Sequence, residues 1–197
     1  MTISHDERKH NSKLLIEAAE RCDLEAIERL LPISYPKSQN SGALTWSVNK
    51  NHLEGVKCLA PVSDVGSALG VAAEWGRVDC LRILIDFATP YDIIFAAGDA
   101  AYEGKMEALQ FLLEHCDAKN SESFPLQMAA IAQREDIAAF LIPLSNPLDA
   151  LNDLGEMHHN EDAVNFLQEI LARQQKNTIE QHIVLIRKSG VDTSRKI

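Results

Sequence analysis

The chain has 197 residues, of which 46% are hydrophobic, 24% charged and only 6% aromatic. This excludes wholesale disorder and is enough chain to bury a core without disulfide or metal staples, built mainly from Ala, Leu, Ile and Val. Nineteen Lys and Arg against twenty-nine Asp and Glu leave a net charge of −10, which argues against a general affinity for nucleic-acid phosphate or anionic membrane.

The amino terminus, MTISHDERKHNSK, is polar and charged. With no apolar h-region it predicts an extension over 1–12 and no secretory signal, hence a cytoplasmic protein or one exported to a host cell without a cleavable signal peptide. Apolar stretches such as Ile93 to Ala97 are far shorter than the ~20 residues of a membrane helix. Cys22, Cys58, Cys80 and Cys116 form no C-x-x-C and are expected to be free thiols in a reducing compartment.

From residue 13 a repeat emerges. Ala18-Ala19, Ala72-Ala73, Ala100-Ala101 and Ala129-Ala130 are each followed twelve residues later by two large aliphatic residues, and Ser47-Val48 begins a weaker copy. The anchors 18, 47, 72, 100 and 129 lie 29, 25, 28 and 29 residues apart. Within each copy, positions −3, 0, +1, +6, +9, +12 and +13 from the anchor are apolar throughout copies one, three and four. Copy two fails only at Ser47 and copy five only at Glu135.

That spacing puts −3, 0 and +1 on one face of a short inner helix, and +6, +9, +12 and +13 on one face of an outer helix. Position +4 must turn the chain between them. Gly76 and Gly104 stand there in copies three and four, where a left-handed cap needs no Cβ. Asn51 is the next most tolerant choice, whereas Cys22 and Gln133 carry a cost. Pro32, Pro61 and Pro143 are expected to stop the outer helices. A sixth, degenerate unit over 144–175 keeps Val164 and Leu167 and reads as a cap. The tail over 176–197 carries Lys176, Arg187, Lys188, Arg195 and Lys196 against Glu180 and Asp192, so its charge is 5 − 2 = +3 and that of the rest is −13.

The segment SALGVAAEWGRVDCLRILI at 67–85 and FPLQMAA at 124–130 resemble the ankyrin signature T-P-L-H-x-A-A-x-x-G-x-L-x-x-V-x-x-L-L, and 15–31 matches it through Leu15, Ala18-Ala19, Leu24, Ile27 and Leu30-Leu31. The resemblance covers 13–143 as five repeats. It implies an all-α helix–turn–helix solenoid of five to six repeats. The period is short of the usual ~33, and the missing residues belong to the connections that form β-hairpin fingers in the family; short connections should stand in their place. The style is similar to that of stand-alone ankyrin proteins of intracellular bacteria and large viruses.

Phosphate-loop, nucleophile-elbow and zincin motifs are absent. Two constellations remain for chemistry. Glu156, His158, His159, Glu161 and Asp162 are dense in ligand types, but adjacent helical histidines diverge by about 100°, and a solvated loop is the expected reading. Cys22 and His52 sit near turns of adjacent repeats without a third orienting group. No catalytic residue, metal or cofactor is therefore assigned. The stronger signal is a row at +2, +3 and +5, which the helical pattern aims away from the stack: Glu74, Trp75, Arg77, then Tyr102, Glu103, Lys105. Exposed aromatics ringed by charge are what interface hot spots are made of.

The expected function is a non-enzymatic protein-binding module, acting as an adaptor, a host-directed effector or an inhibitor. It would grip a protein partner through its concave helical face, as a monomer. An immunity-type inhibitor of a basic toxin fits the charge; a Cys/His-dependent enzyme or metal protein is the other alternative.

Overall fold

The computed structural model describes residues 3–156 and 160–188, and among these there are twelve α-helices and no strand. They alternate as inner and outer helices of six units. The inner set is α1 (His5–Glu20), α3 (Ser38–Asn49), α5 (Gly66–Glu74), α7 (Pro90–Tyr102), α9 (Asn120–Ile131) and α11 (Pro147–Glu156). The outer set is α2 (Leu24–Leu30), α4 (Leu53–Leu59), α6 (Val78–Leu84), α8 (Met106–Leu113), α10 (Glu135–Leu141) and α12 (Glu161–Lys188). Each inner helix packs on the next, so the chain is an all-α solenoid of about six helical repeats.

The stack closes on the residues that the spacing singles out. Leu69, Ala72, Ala73, Leu81 and Leu84 of the third unit are fully buried, as are Ala97, Ala100, Ala101, Leu109 and Leu112 of the fourth. Each Leu so removed from water contributes about 2 kcal/mol. Paired alanines at the inner-helix contact leave nothing to hold adjacent helices apart, which suits an alanine-rich, aromatic-poor chain.

Position +4 is left-handed in each of the first five units, with φ of 57° at Cys22, 56° at Asn51, 65° at Gly76, 71° at Gly104 and 52° at Gln133. The N–H one residue later donates to the carbonyl of the anchor each time: Asp23 to Ala18, His52 to Ser47, Arg77 to Ala72, Lys105 to Ala100 and Arg134 to Ala129, at 2.7–2.9 Å. This is a Schellman cap, which satisfies orphan carbonyls as it reverses the chain. A second bond runs from each +4 N–H to the carbonyl one residue past the anchor, and this pair also holds the three non-glycine residues, Cys22, Asn51 and Gln133, left-handed.

Single 3-10 turns follow the outer helices at Leu31–Ile33, Ala60–Val62, Ile85–Phe87 and Ile142–Leu144, with Pro32, Pro61 and Pro143 inside three of them. They are the short connections expected in place of fingers. A second device fastens neighbouring units. The buried hydroxyls of Ser12, Ser41 and Ser123 accept the backbone N–H groups of Tyr35, Asp64 and Asn146 at 2.8–2.9 Å, always 23 residues ahead. To present them, Gln39, Asn40 and Ser41 turn left-handed at the start of α3, as do Ser121 and Ser123 in α9. Pro125 then falls in the first turn after that reversal, where its missing N–H costs little. In unit four, Thr89 instead caps α7 through reciprocal bonds with Asp92, and Pro90 takes the first helical position.

The ends differ from the expected boundaries. α1 starts at His5 with Ser4 as its cap, so residues 5–12 belong to the first inner helix and not to an extension. α12 runs unbroken across 175/176: Ala163, Leu167 and Ile170 are buried, Arg173 pairs with Glu135 at 3.0 Å, and Gln174 donates to the carbonyl of Ala139. Farther along, Ile179 and Leu185 are exposed. His158, His159 and the tail from 189 lie outside the described residues.

Candidate functional site

The row expected at the inner-helix ends divides into two parts. Trp75 follows the last residue of α5 and is 57% exposed, Tyr102 ends α7 at 40%, Glu74 is exposed and Glu103 half-buried. Trp75 and Tyr102 make no ring contact with each other among the described residues. Each is fixed by the cap beneath it, which lowers the ordering cost of binding.

Arg77 and Lys105, by contrast, turn back into the stack. Arg77 Nη2 donates to the carbonyl of Asn49 at 2.8 Å, and Arg134, the equivalent residue of unit five, donates from Nε to the carbonyl of Tyr102 at 2.9 Å. Asn49 and Tyr102 occupy the same repeat position. Lys105 lies over Gly76, where an added Cβ would stand 3.4 Å from its Cδ. The two arginines cap the carbonyl end of the preceding inner helix, where the helix dipole favours a cation. Trp46, one residue before its anchor, is half-buried against the core with Lys50 Nζ 5.7 Å from the ring centroid.

A residue that the row omits lies between these helices. Asp99, on α7, faces a cavity of about 360 Å³ between α5 and α7, lined also by Gly66, Gly70, Glu74, Tyr102 and Glu103. Burial first, and then the nearby Glu74 and Glu103, push its carboxyl up to about 6. A Cβ on Gly70 would lie 2.8 Å from Asp99 Oδ2, so glycine there leaves the carboxylate its space. None of Asp99, Glu74 and Glu103 has an ion-pair or hydrogen-bond partner through its side chain among the described residues. An anionic, partly desolvated pocket of this kind favours a cation. Its sequence signal is a glycine two residues before the anchor in units three and four, followed by Asp99 where the other copies carry Glu17, Trp46, Val71 and Met128.

The thiol and imidazole candidates are not brought together. Cys22 is exposed at its turn, whereas His52 Nδ1 is buried over Gly55 of its own unit. Burial pushes the thiols of Cys80 and Cys116 up to about 11, and burial followed by Glu28 and Glu54 raises that of Cys58. A raised thiol is a poor nucleophile at neutral pH. Among the described residues no three of His, Cys, Asp and Glu converge as a metal site, and no helix is long and apolar enough to cross a membrane.

No family model matches the sequence, and no curated protein matches it. Among solved structures, the chain is similar to the human ASB11 ankyrin repeat domain, at 18% identity and a TM-score of 0.56, over 79% of this chain and 82% of that one. At that identity the likeness is one of fold: an ankyrin-like helical stack.

Proposed function

We propose that this chain is a non-enzymatic module whose inner-helix face grips a protein partner through Trp75 and Tyr102, with Glu74 and Glu103 beside them. A solenoid offers an extended surface of this kind and no water-excluding reaction chamber. The observation that carries the reading is Trp75, a large aromatic left 57% exposed on a capped, rigid helix end. Such a residue contributes little to the stack and much to a contact. The net charge of −10 and the unpaired carboxylates beside Tyr102 favour a basic partner. Within that class an adaptor, an effector and an inhibitor seated on a basic toxin share the same surface. Lys105, over Gly76, and Arg134, on the carbonyl of Tyr102, enter as supports of the helix ends that carry the aromatics, while Arg77 braces the end of α3.

The test is Trp75→Ala with Tyr102→Ala. The double variant should keep its helicity and stay within about 0.5 kcal/mol of wild-type stability, as exposed substitutions do, while losing capture of a partner that wild type holds. A variant that unfolds would make these rings part of the core, and equal capture by both would move the surface elsewhere.

A further inference from the structure

The outer helices of the first five units have seven or eight residues, and α12 has 28. Its first half is enough to close the stack. Ala163, Leu167 and Ile170 are buried, and Arg173 and Gln174 still reach α10. Beyond them 188 − 174 = 14 helical residues remain. From Gln175 to Leu185 every described side chain is exposed, Ile179, Val184 and Leu185 among them. A helix of that length is marginal in water by itself. The sequence IVLI at 183–186 makes one whole turn apolar, the pattern of a helix that is covered by something.

A second uncovered surface crosses the inner helices of units four and five. Tyr91, Phe95 and Asp99 succeed one another at i, i+4 and i+8 along the open stripe of α7, and Tyr91 is 66% exposed. Its ring lies 4.3 Å from that of Phe95 between centroids, and Phe95 lies 4.7 Å from Phe124 of α9. Phe124 rests directly on Gly98, with Met128 beside it. The rings form a continuous apolar ridge over two helices, and a contiguous patch of this kind marks a contact. Asp92 and Asp99 border it on α7.

The two surfaces match in length and in charge. The free end of α12 is about 21 Å long, and α7, with 13 residues, is about 20 Å. Lys176, Arg187 and Lys188 against Glu180 give that end 3 − 1 = +2, whereas residues 1–175 carry −13. Two such ends would repel each other, while a basic, aliphatic helix suits an aromatic ridge bordered by carboxylates. Because α12 is unbroken from Glu161 to Lys188, its end cannot double back onto its own α7.

We propose that the free end of α12 seats on the Tyr91–Phe95–Phe124 ridge of a second copy of this chain, so that the protein self-associates where its sequence alone suggested a monomer. The inference goes beyond the partner-binding reading. Trp75 and Tyr102 take no part in this contact, and its test contains no partner, so either can fail without the other.

The experiment is sedimentation of the full chain near physiological salt, where a Debye length of ~8 Å screens the overall repulsion between copies and spares charges in contact. Wild type should shift from monomer to larger species as its concentration rises. Tyr91→Lys sets a cation on the ridge, and Ile179→Glu with Leu185→Glu sets carboxylates on the helix. All three positions are exposed, so each variant should keep the circular dichroism of wild type and stay monomeric. Mixed in equal amounts, the two variants should associate again, because the first still offers an intact helix and the second an intact ridge. Wild type that remains monomeric at every concentration would overturn the inference. So would association that Tyr91→Lys leaves untouched, which would pair α12 with another surface, and so would two folded variants that fail to restore association on mixing.

Discussion

Units two and three make the same turn and fill it in opposite ways. Asn51 and Gly76 are both left-handed, at φ of 56° and 65°, under the same pair of capping bonds. In unit three the next residue, Arg77, turns back through Nη2 to the carbonyl of Asn49, with its buried Nε left without a partner among the described residues, while Cys80 donates its thiol to Asn51 at 3.4 Å. In unit two the next residue, His52, folds inward over Gly55, and its Nδ1 and the buried Ser47 hydroxyl find no partner among the described residues. The backbone dictates the turn, and the side chains decide whether it is a fastening or a weak joint.

The most damaging way to disturb that contrast is Gly55→Ala. The added Cβ would meet His52 Nδ1 at 2.6 Å and Ser47 Oγ at 3.0 Å, so denaturant melts should show a loss of about 2 kcal/mol. Next come the turns themselves. Gly76→Ala should cost about 1 kcal/mol because alanine resists a left-handed backbone, whereas Asn51→Gly should gain a few tenths; equal effects of the two would mean that the caps do not select glycine. The smallest change runs the other way. Ser47→Ala removes a buried hydroxyl with no partner and restores the alanine of the other copies, so it should stabilise by about 0.5–1 kcal/mol.

These positions also show what could be read in advance. The fold was legible because the apolar spacing repeats, and the turn because Gly76 and Gly104 mark a place that Cys22, Asn51 and Gln133 must then share. The serine fastenings were not. A hydroxyl at Ser12, Ser41 or Ser123 looks like any solvated serine until the chain 23 residues ahead is folded against it. Helical geometry alone aims Arg77, Lys105 and Trp75 all off the stack, but a long cation can bend back, Arg77 to the carbonyl of Asn49 and Lys105 over Gly76, where an indole cannot. Asp99 is hidden in the sequence for a related reason: its burial comes from Gly70 on another helix, and the spacing along one helix does not report that approach.

Hydrogen exchange on the complex with a captured partner addresses the binding face most directly. Partner binding is expected to slow exchange in α5 and α7, centred on Trp75 and Tyr102, and to leave the outer helices and the exposed part of α12 unchanged. Protection confined to the outer helices or to α12, with α5 and α7 exchanging as in the free chain, would contradict it.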